Sequence, residues 1–238
     1  MVPSAEFSVQ LANLDLAQLN RRFEVSHPSR ILTWCVHHLP TGFVQVSAFN
    51  VDDMVITDMI YAQARPQTPV PVLFLDTLHH FPETLELVYR AENLYHLNLK
   101  VYRTLNARSR ETFASHYGAS LWETDLQKFH FLTRLEPLER GLAELNTVAW
   151  ITGRRRDQSS DRTDLPIFER DSQNRLRINP LATWTRKDVW AYVFEHDVIY
   201  NPLHDQGYPS IGDEPLTTPI CEGDEERAGR CNSLDLYL

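Results

Sequence analysis

The stretch 44–84 restricts the fold more than any other part of the chain. It reads VQVSAFNVDDMVITDMI, then a linker carrying prolines, then PVLFLDTLHHFPET. An apolar run ends in Ser47-Ala48-Phe49-Asn50, and an amphipathic run begins at once. A second apolar run, 70–75, ends in Asp76-Thr77 and leads into another helical pattern. Strand, loop, helix, strand, loop, helix is the order of a unit whose two strands lie parallel with a right-handed crossover. Both loops leave the carboxyl ends of neighbouring strands, where open α/β sheets bind ligands. A site is therefore expected above Ser47 and Asp76.

The remaining elements extend this unit into an α/β, doubly wound, mostly parallel sheet of Rossmann-like type. Before Pro28, Leu11, Leu14, Leu16 and Leu19 recur at helical spacing, with Asn13 or Asp15 as a cap. Residues 30–38 predict a helix ending before Pro40, with Cys35 inside it as a small core residue. In 42–49, Val44, Val46 and Ala48 alternate with Gln45 and Ser47, as on a strand. In 52–64, the pairs Val55/Met59 and Ile56/Ile60 predict a helix with one buried stripe. Pro82 sits at a natural first helical position, and Leu85, Val88, Tyr89 and Leu94 continue a stripe from it. Further strands are expected at 99–102 and 147–152, and helices at 110–117 and 123–145, the latter broken near Pro137. Ile167 with Phe168, and 176–178, read as short strands around a turn at 171–174. Thr185 and Asp188 form a capping box before VWAYVFEH. The expected division is N-terminal helices over 1–40, a nucleotide-binding domain over 41–212, and a mobile C-terminal segment over 213–238 that reads as truncated.

Charge and cysteine content narrow the function. The 238 residues carry a formal net charge of -9, which argues against nucleic-acid binding through a broad basic face. The 3 cysteines, Cys35, Cys221 and Cys231, have neither zinc-site nor disulfide-framework spacing, so a reduced cytoplasmic chain is expected. The segment after Met1, VPSAEFSVQ, has no signal-peptide pattern, and no apolar run is long enough for a membrane span. His79-His80 are adjacent on a loop with no matching ligand set, so no metal site is expected.

Two loops carry the chemistry. SAFNVDD is neither a P-loop nor the SGGxDS loop of ATP pyrophosphatases. Asp52 and Asp53 oppose a phosphate placed directly on it, which suggests contact with ribose or an adenine edge instead. After the fourth strand come Gly153-Arg154-Arg155-Arg156-Asp157-Gln158-Ser159-Ser160-Asp161-Arg162. Guanidinium forks suit bidentate contacts to phosphate or sulfate. The long Pro- and Gly-bearing loop 201–230 has the length of a functional loop and ends with Arg227 and Arg230.

Taken together, VSAFNVDDMVITDMI, FLDTLHHFPET, WITGRRRDQSSDR, NPLATWTRKDVWAY, NPLHDQGYPSIGDEPLTTP and GDEERAGR resemble the bacterial thioredoxin-dependent phosphoadenylyl-sulfate (PAPS) reductases, in family order. The resemblance implies an adenine-nucleotide hydrolase-like fold with PAPS, or the product adenosine 3′,5′-bisphosphate, across the strand ends. It implies that Ser47, Phe49 and Asn50 belong to a modified nucleotide loop, and that Asp76 and Thr77 match the family's LDT element. Arg154, Arg155, Gln158, Ser159 and Arg162 match its arginine loop, and Arg227 and Arg230 a segment that folds over the ligand. Reduced thioredoxin is the implied electron donor, with no bound cofactor; a homodimer is left open. Phe129, His130, Asp213 and Leu216 stand where related adenylyl-sulfate (APS) reductases carry cluster cysteines, so no 4Fe–4S cluster is expected and PAPS is favoured over APS.

The family's nucleophilic cysteine lies in an ECGLH-like motif beyond the last residue of this sequence. Cys231 is the candidate within the chain, without the Glu, Gly and His of that motif; Cys221 lacks them too. The expectation is nucleotide binding with poor turnover of PAPS. The alternative is a non-catalytic nucleotide-binding protein that keeps the pocket. The missing SGGxDS loop argues against an adenylating enzyme.

Overall fold

The computed structural model describes residues 14–39, 41–221, 223 and 225–230. Leu11, Asn13, Pro40 and Cys231 lie outside the described residues. The chain begins with α1 (Leu16–Phe23), whose N-terminus is capped by Asp15 accepting from the Gln18 N–H at 2.9 Å. It continues with α2 (Pro28–His38), which opens on a proline and buries Ile31, Leu32 and Cys35. Six strands follow: β1 (Phe43–Ser47), β2 (Pro71–Leu75), β3 (Asn98–Tyr102), β4 (Ala149–Ile151), β5 (Phe168–Arg170) and β6 (Leu176–Ile178). They form one sheet in the order β3-β2-β1-β4-β6-β5, parallel except for the antiparallel β5–β6 hairpin at one edge. The chain order reverses between β1 and β4, which makes that place the topological switch point of the sheet.

β1 is central, pairing Gln45 with Val72 on one side and with Ile151 on the other. All five of its residues are buried, so the expected apolar–polar alternation does not separate core from solvent. Helices cover both faces of a parallel sheet. Val44 and Val46 pack with Leu138, Leu142 and Trp150, whereas Phe43 joins the larger core on the opposite face. Buried Gln45 is satisfied by donating to the Asp53 carbonyl and to Thr57 Oγ1.

Two amphipathic readings are corrected. The helix after β1, α3 (Val51–Asp58), ends in a π-helical turn (Met59–Ala64), and every residue from 51 to 60 is buried. It has no solvent face because it lies among the sheet, α2 and the helix α9 (Arg186–Glu195). In α4 (Pro82–Tyr95), the buried residues are Thr84, Leu87, Val88 and Ala91. Leu85, Tyr89 and Leu94 of the expected stripe are 44%, 64% and 58% exposed. A small polar residue and an alanine on the true inner row weakened its signal against the outer row.

Next come α5 (Arg110–Tyr117), α6 (Leu121–Thr124) and α7 (Leu126–His130). A second π-helical turn (Phe131–Leu135) then leads into α8 (Glu136–Glu144), with Pro137 in its first turn. The break expected near Pro137 is thus this widened turn, a feature frequent at functional sites. The capping box before α9 forms as expected from Thr185 and Asp188. No helix among the described residues is long and apolar enough to cross a membrane.

Candidate active site

Above the carboxyl ends of β1, β2 and β4 lies a cavity of about 400 Å³. Its floor is the loop after β1. Phe49 there takes a left-handed φ of 57°, and Leu78 in the loop after β2 takes 65°. Such conformations are uncommon for large residues and are held only where surrounding contacts enforce them. Phe49 is pinned by its ring, edge-on to Phe74 at 5.4 Å, and by its N–H donating to Ser47 Oγ at 3.1 Å. The Asn50 side chain accepts from the Ile211 N–H at 3.2 Å, tying this floor to the long C-terminal loop. Asp76 is occupied structurally: it accepts from the Leu78 N–H at 2.9 Å and from Arg103 Nε at 2.7 Å.

The loop after β4 forms one wall. Gly153 is required there, because a Cβ would stand 2.6 Å from Asp53 Oδ1. The close approach brings Arg155 onto the start of α3. Its guanidinium is fully buried and ion-paired to Asp52, to Asp157 at 2.8 Å and to Glu226 at 2.7 Å. Gln158 links Asp52 to Arg162: its amide donates to Asp52 at 3.2 Å and its carbonyl accepts from Arg162 at 2.5 Å. Arg154 pairs with Glu169 at 3.2 Å.

The opposite wall comes from the π turn after α7 and from the C-terminal loop. Arg134 donates to Asp213 at 2.6 Å, and Thr77 Oγ1 donates to the same carboxylate at 2.5 Å. Asp213 is buried, which favours its neutral form, but Arg134, His80 and these hydrogen bonds hold its carboxyl far below the usual range. Arg134 Nε has no hydrogen-bond partner among the described residues, and the side chain lines the cavity. Phe129 and Leu216 belong to one apolar cluster, and Leu216 also lines the cavity. The segment that carries Arg227 and Arg230 folds back along the loop: Thr217 bridges Arg230, and the Thr218 N–H donates to the Gly229 carbonyl at 2.9 Å. Arg230 passes over Gly212, where a Cβ would be 2.3 Å from its guanidinium carbon.

Of the residues singled out in the sequence, Ser47, Asn50, Thr77, Arg154, Gln158, Arg162, Arg227 and Arg230 line this cavity. Phe49, Asp76, Arg155 and Ser159 stand behind its walls and do not line it. Cys231 lies outside the described residues. Cys35 is buried in α2, and burial pushes its thiol up; Cys221 is exposed. Sequence reasoning missed Arg134, His80 and Glu226 as lining residues, and it noted Asp213 and Leu216 only as replaced cysteine positions. Arg134 carries no local signal, being one basic residue in a helical stretch. Among the described residues, no group of three or more His, Cys, Asp or Glu side chains is placed to hold a metal ion.

Comparison with known proteins places the chain. Residues 42–219 match the phosphoadenosine phosphosulfate reductase domain. A phosphoadenosine phosphosulfate reductase of Emericella nidulans is 44% identical over 215 residues, covering 89% of this chain and 70% of that protein. An adenosine 5′-phosphosulfate reductase of Salinibacter ruber is 41% identical over 222 residues, covering 92% of this chain and 85% of that one. The crystal structure of a PAPS reductase from Candida auris, a phosphate complex, superposes with a TM-score of 0.78 at 36% identity, covering 92% of this chain and 99% of that chain. Both the sheet with its strand-end cavity and these likenesses lead to one conclusion: the chain belongs to the phosphoadenosine phosphosulfate reductase family.

Proposed function

We propose that this protein reduces 3′-phosphoadenylyl sulfate to sulfite and adenosine 3′,5′-bisphosphate, with reduced thioredoxin as the electron donor. The observation that carries this reading is the cavity itself. In a chain of net charge -9, five arginines, Arg134, Arg154, Arg162, Arg227 and Arg230, converge on one cleft at the switch point of the sheet. A sulfonucleotide with a 3′-phosphate offers several anionic groups spread along one molecule, and guanidinium forks bind such oxygens bidentately. Of the positions that the resemblance matches to cluster cysteines, Asp213 is paired with Arg134, and Phe129 and Leu216 belong to one apolar cluster. That supports PAPS rather than APS as the substrate, although relatives carry both names.

The chemistry asks for a thiolate in line with the S–O bond to be broken. Its attack on the sulfonyl sulfur gives an S-sulfocysteine and releases the bisphosphate. Reduced thioredoxin then supplies two electrons, leaves as its disulfide, and frees sulfite. Within this sequence, Cys231 follows cavity-lining Arg230 directly and is the candidate for that thiolate. The residues here bind and orient; the arginines also stabilise charge that develops on the leaving phosphate.

The test is sulfite release from PAPS with reduced thioredoxin, measured for the wild type, Cys221→Ser and Cys231→Ser. Turnover lost only in Cys231→Ser supports the assignment. Turnover surviving both substitutions removes the thiol step from these residues, and PAPS binding without any sulfite supports a nucleotide-binding role alone.

A further inference from the structure

Thr84 and Asn201 hold one hydroxyl of the cavity in a fixed sense. Thr84 stands in the first turn of α4, is 2% exposed, and lines the cavity. Asn201 lies 117 positions later, is 1% exposed, and opens the turn Pro202–Gln206. Its Oδ1 accepts from the Leu203 N–H at 3.1 Å. That bond settles which end of the side-chain amide is which, because an amide nitrogen only donates. Asn201 Nδ2 donates to Thr84 Oγ1 at 2.9 Å. The hydroxyl thus acts as acceptor toward Asn201, and its own proton meets no acceptor among the described residues. A buried donor without a partner is costly, so this position calls for an acceptor from the cavity side. Five arginines line the same cavity and suit anionic oxygens, whereas an uncharged hydroxyl suits a neutral acceptor. Leu75, Pro209 and Ile211 line the cavity as well and give it apolar surface for a planar ring.

We propose that Thr84 donates to a ring nitrogen of the adenine base, and that Asn201 is the positioning residue that turns its proton that way. The unsubstituted ring nitrogens of adenine accept and do not donate, so a hydroxyl fixed as donor matches them. A ribose hydroxyl does both and gains nothing from the fixed sense. Thr84 is then a specificity-determining contact. The inference rests on the reading of the cavity as an adenine-nucleotide site and is independent of the reductive step.

The test is calorimetric titration of adenosine 3′,5′-bisphosphate and its 1-deaza, 3-deaza and 7-deaza analogues into the full chain. Each analogue lacks one ring nitrogen. The wild type is expected to bind one of them about tenfold more weakly than the parent nucleotide, the scale of one hydrogen bond left unmade. In Thr84→Val that ratio is expected to fall to near one, and in Thr84→Ser, which keeps the hydroxyl, to persist. Asn201→Asp keeps the side-chain shape, but its carboxylate accepts the Thr84 proton and turns it from the ligand. The ratio is expected to fall there too. Comparing parent with analogue inside each variant cancels a general loss of affinity or stability, and Asn201→Asp is read alone if Thr84→Val does not fold. A ratio that survives Thr84→Val, or analogues that all bind the wild type as the parent does, would overturn the inference while the nucleotide site stands. A ratio that survives only in Asn201→Asp would remove the role of Asn201. A loss seen instead with the 2′-deoxy nucleotide, and abolished by Thr84→Val, would put the hydroxyl on the ribose and overturn the base contact. A wild type that binds no parent nucleotide would remove the nucleotide reading itself, and this inference with it.

Discussion

Arg155 and Arg134 both carry a guanidinium toward the site, one from each wall of the cleft. Arg155 meets three carboxylates, Asp52, Asp157 and Glu226, and is fully buried behind the surface. Arg134 meets one, Asp213, keeps Nε without a partner among the described residues, and lines the cavity. The first is more than neutralised by its surroundings, and every edge of its fork is in use. The second keeps a donor without a partner among the described residues, on a side chain that lines the cavity. Density of arginines in the sequence therefore marks the loop that is held in place, while a solitary arginine supplies charge to the opposite wall. Arg155 acts by fixing the path of the loop that presents Arg154 and Arg162.

The sharpest way to break this contrast is Arg155→Ala. It strands Asp52, Asp157 and Glu226 without their cation, and breaking a buried pair costs about 3–5 kcal/mol. Denaturant unfolding is expected to show that loss, with nucleotide affinity falling only as a consequence. Full stability with lost affinity would make Arg155 a direct ligand contact.

Asp213→Ala probes the other wall, where one ion pair is lost rather than three; about 3 kcal/mol is expected at neutral pH. Because the folded carboxyl lies far below its usual range, its contribution is complete above the unfolded value near pH 4 and is lost as pH falls below that. The gap between wild type and Asp213→Ala should then be constant from pH 5 to 8 and close in stronger acid. A gap that closes already near pH 6 would contradict this pairing.

Arg227→Ala removes a cavity-lining cation from the C-terminal segment. Affinity for adenosine 3′,5′-bisphosphate is expected to fall by about 1.5–3 kcal/mol, the scale of a charge-assisted hydrogen bond, with unfolding little changed. The smallest effect belongs to the outer face of α4. Tyr89→Ser should alter stability by within about 0.5 kcal/mol, whereas Leu87→Ala on the inner row should cost about 2–5 kcal/mol.

Much of the fold was legible because its signals are local. The apolar runs at 70–75 and 147–152, Pro82 opening α4 and the Thr185–Asp188 box each specify a backbone state by themselves. What stayed hidden depends on contacts distant in sequence. The full burial of α3 follows from helices packed on it, and the outer row of α4 mimics an inner one. In the site, Ser47, Thr77 and the strand-end arginines were readable from their place after apolar runs. The Arg134–Asp213 pair joins residues 79 positions apart through a π turn that no spacing announces.

The most direct test of the account is calorimetric titration of adenosine 3′,5′-bisphosphate into the wild type and Arg162→Ala. One molecule is expected to bind per chain, with an affinity lowered by about 1.5–3 kcal/mol when the cavity-lining Arg162 is removed. No binding to the wild type, or equal binding to both proteins, would contradict a sulfonucleotide site between these two walls.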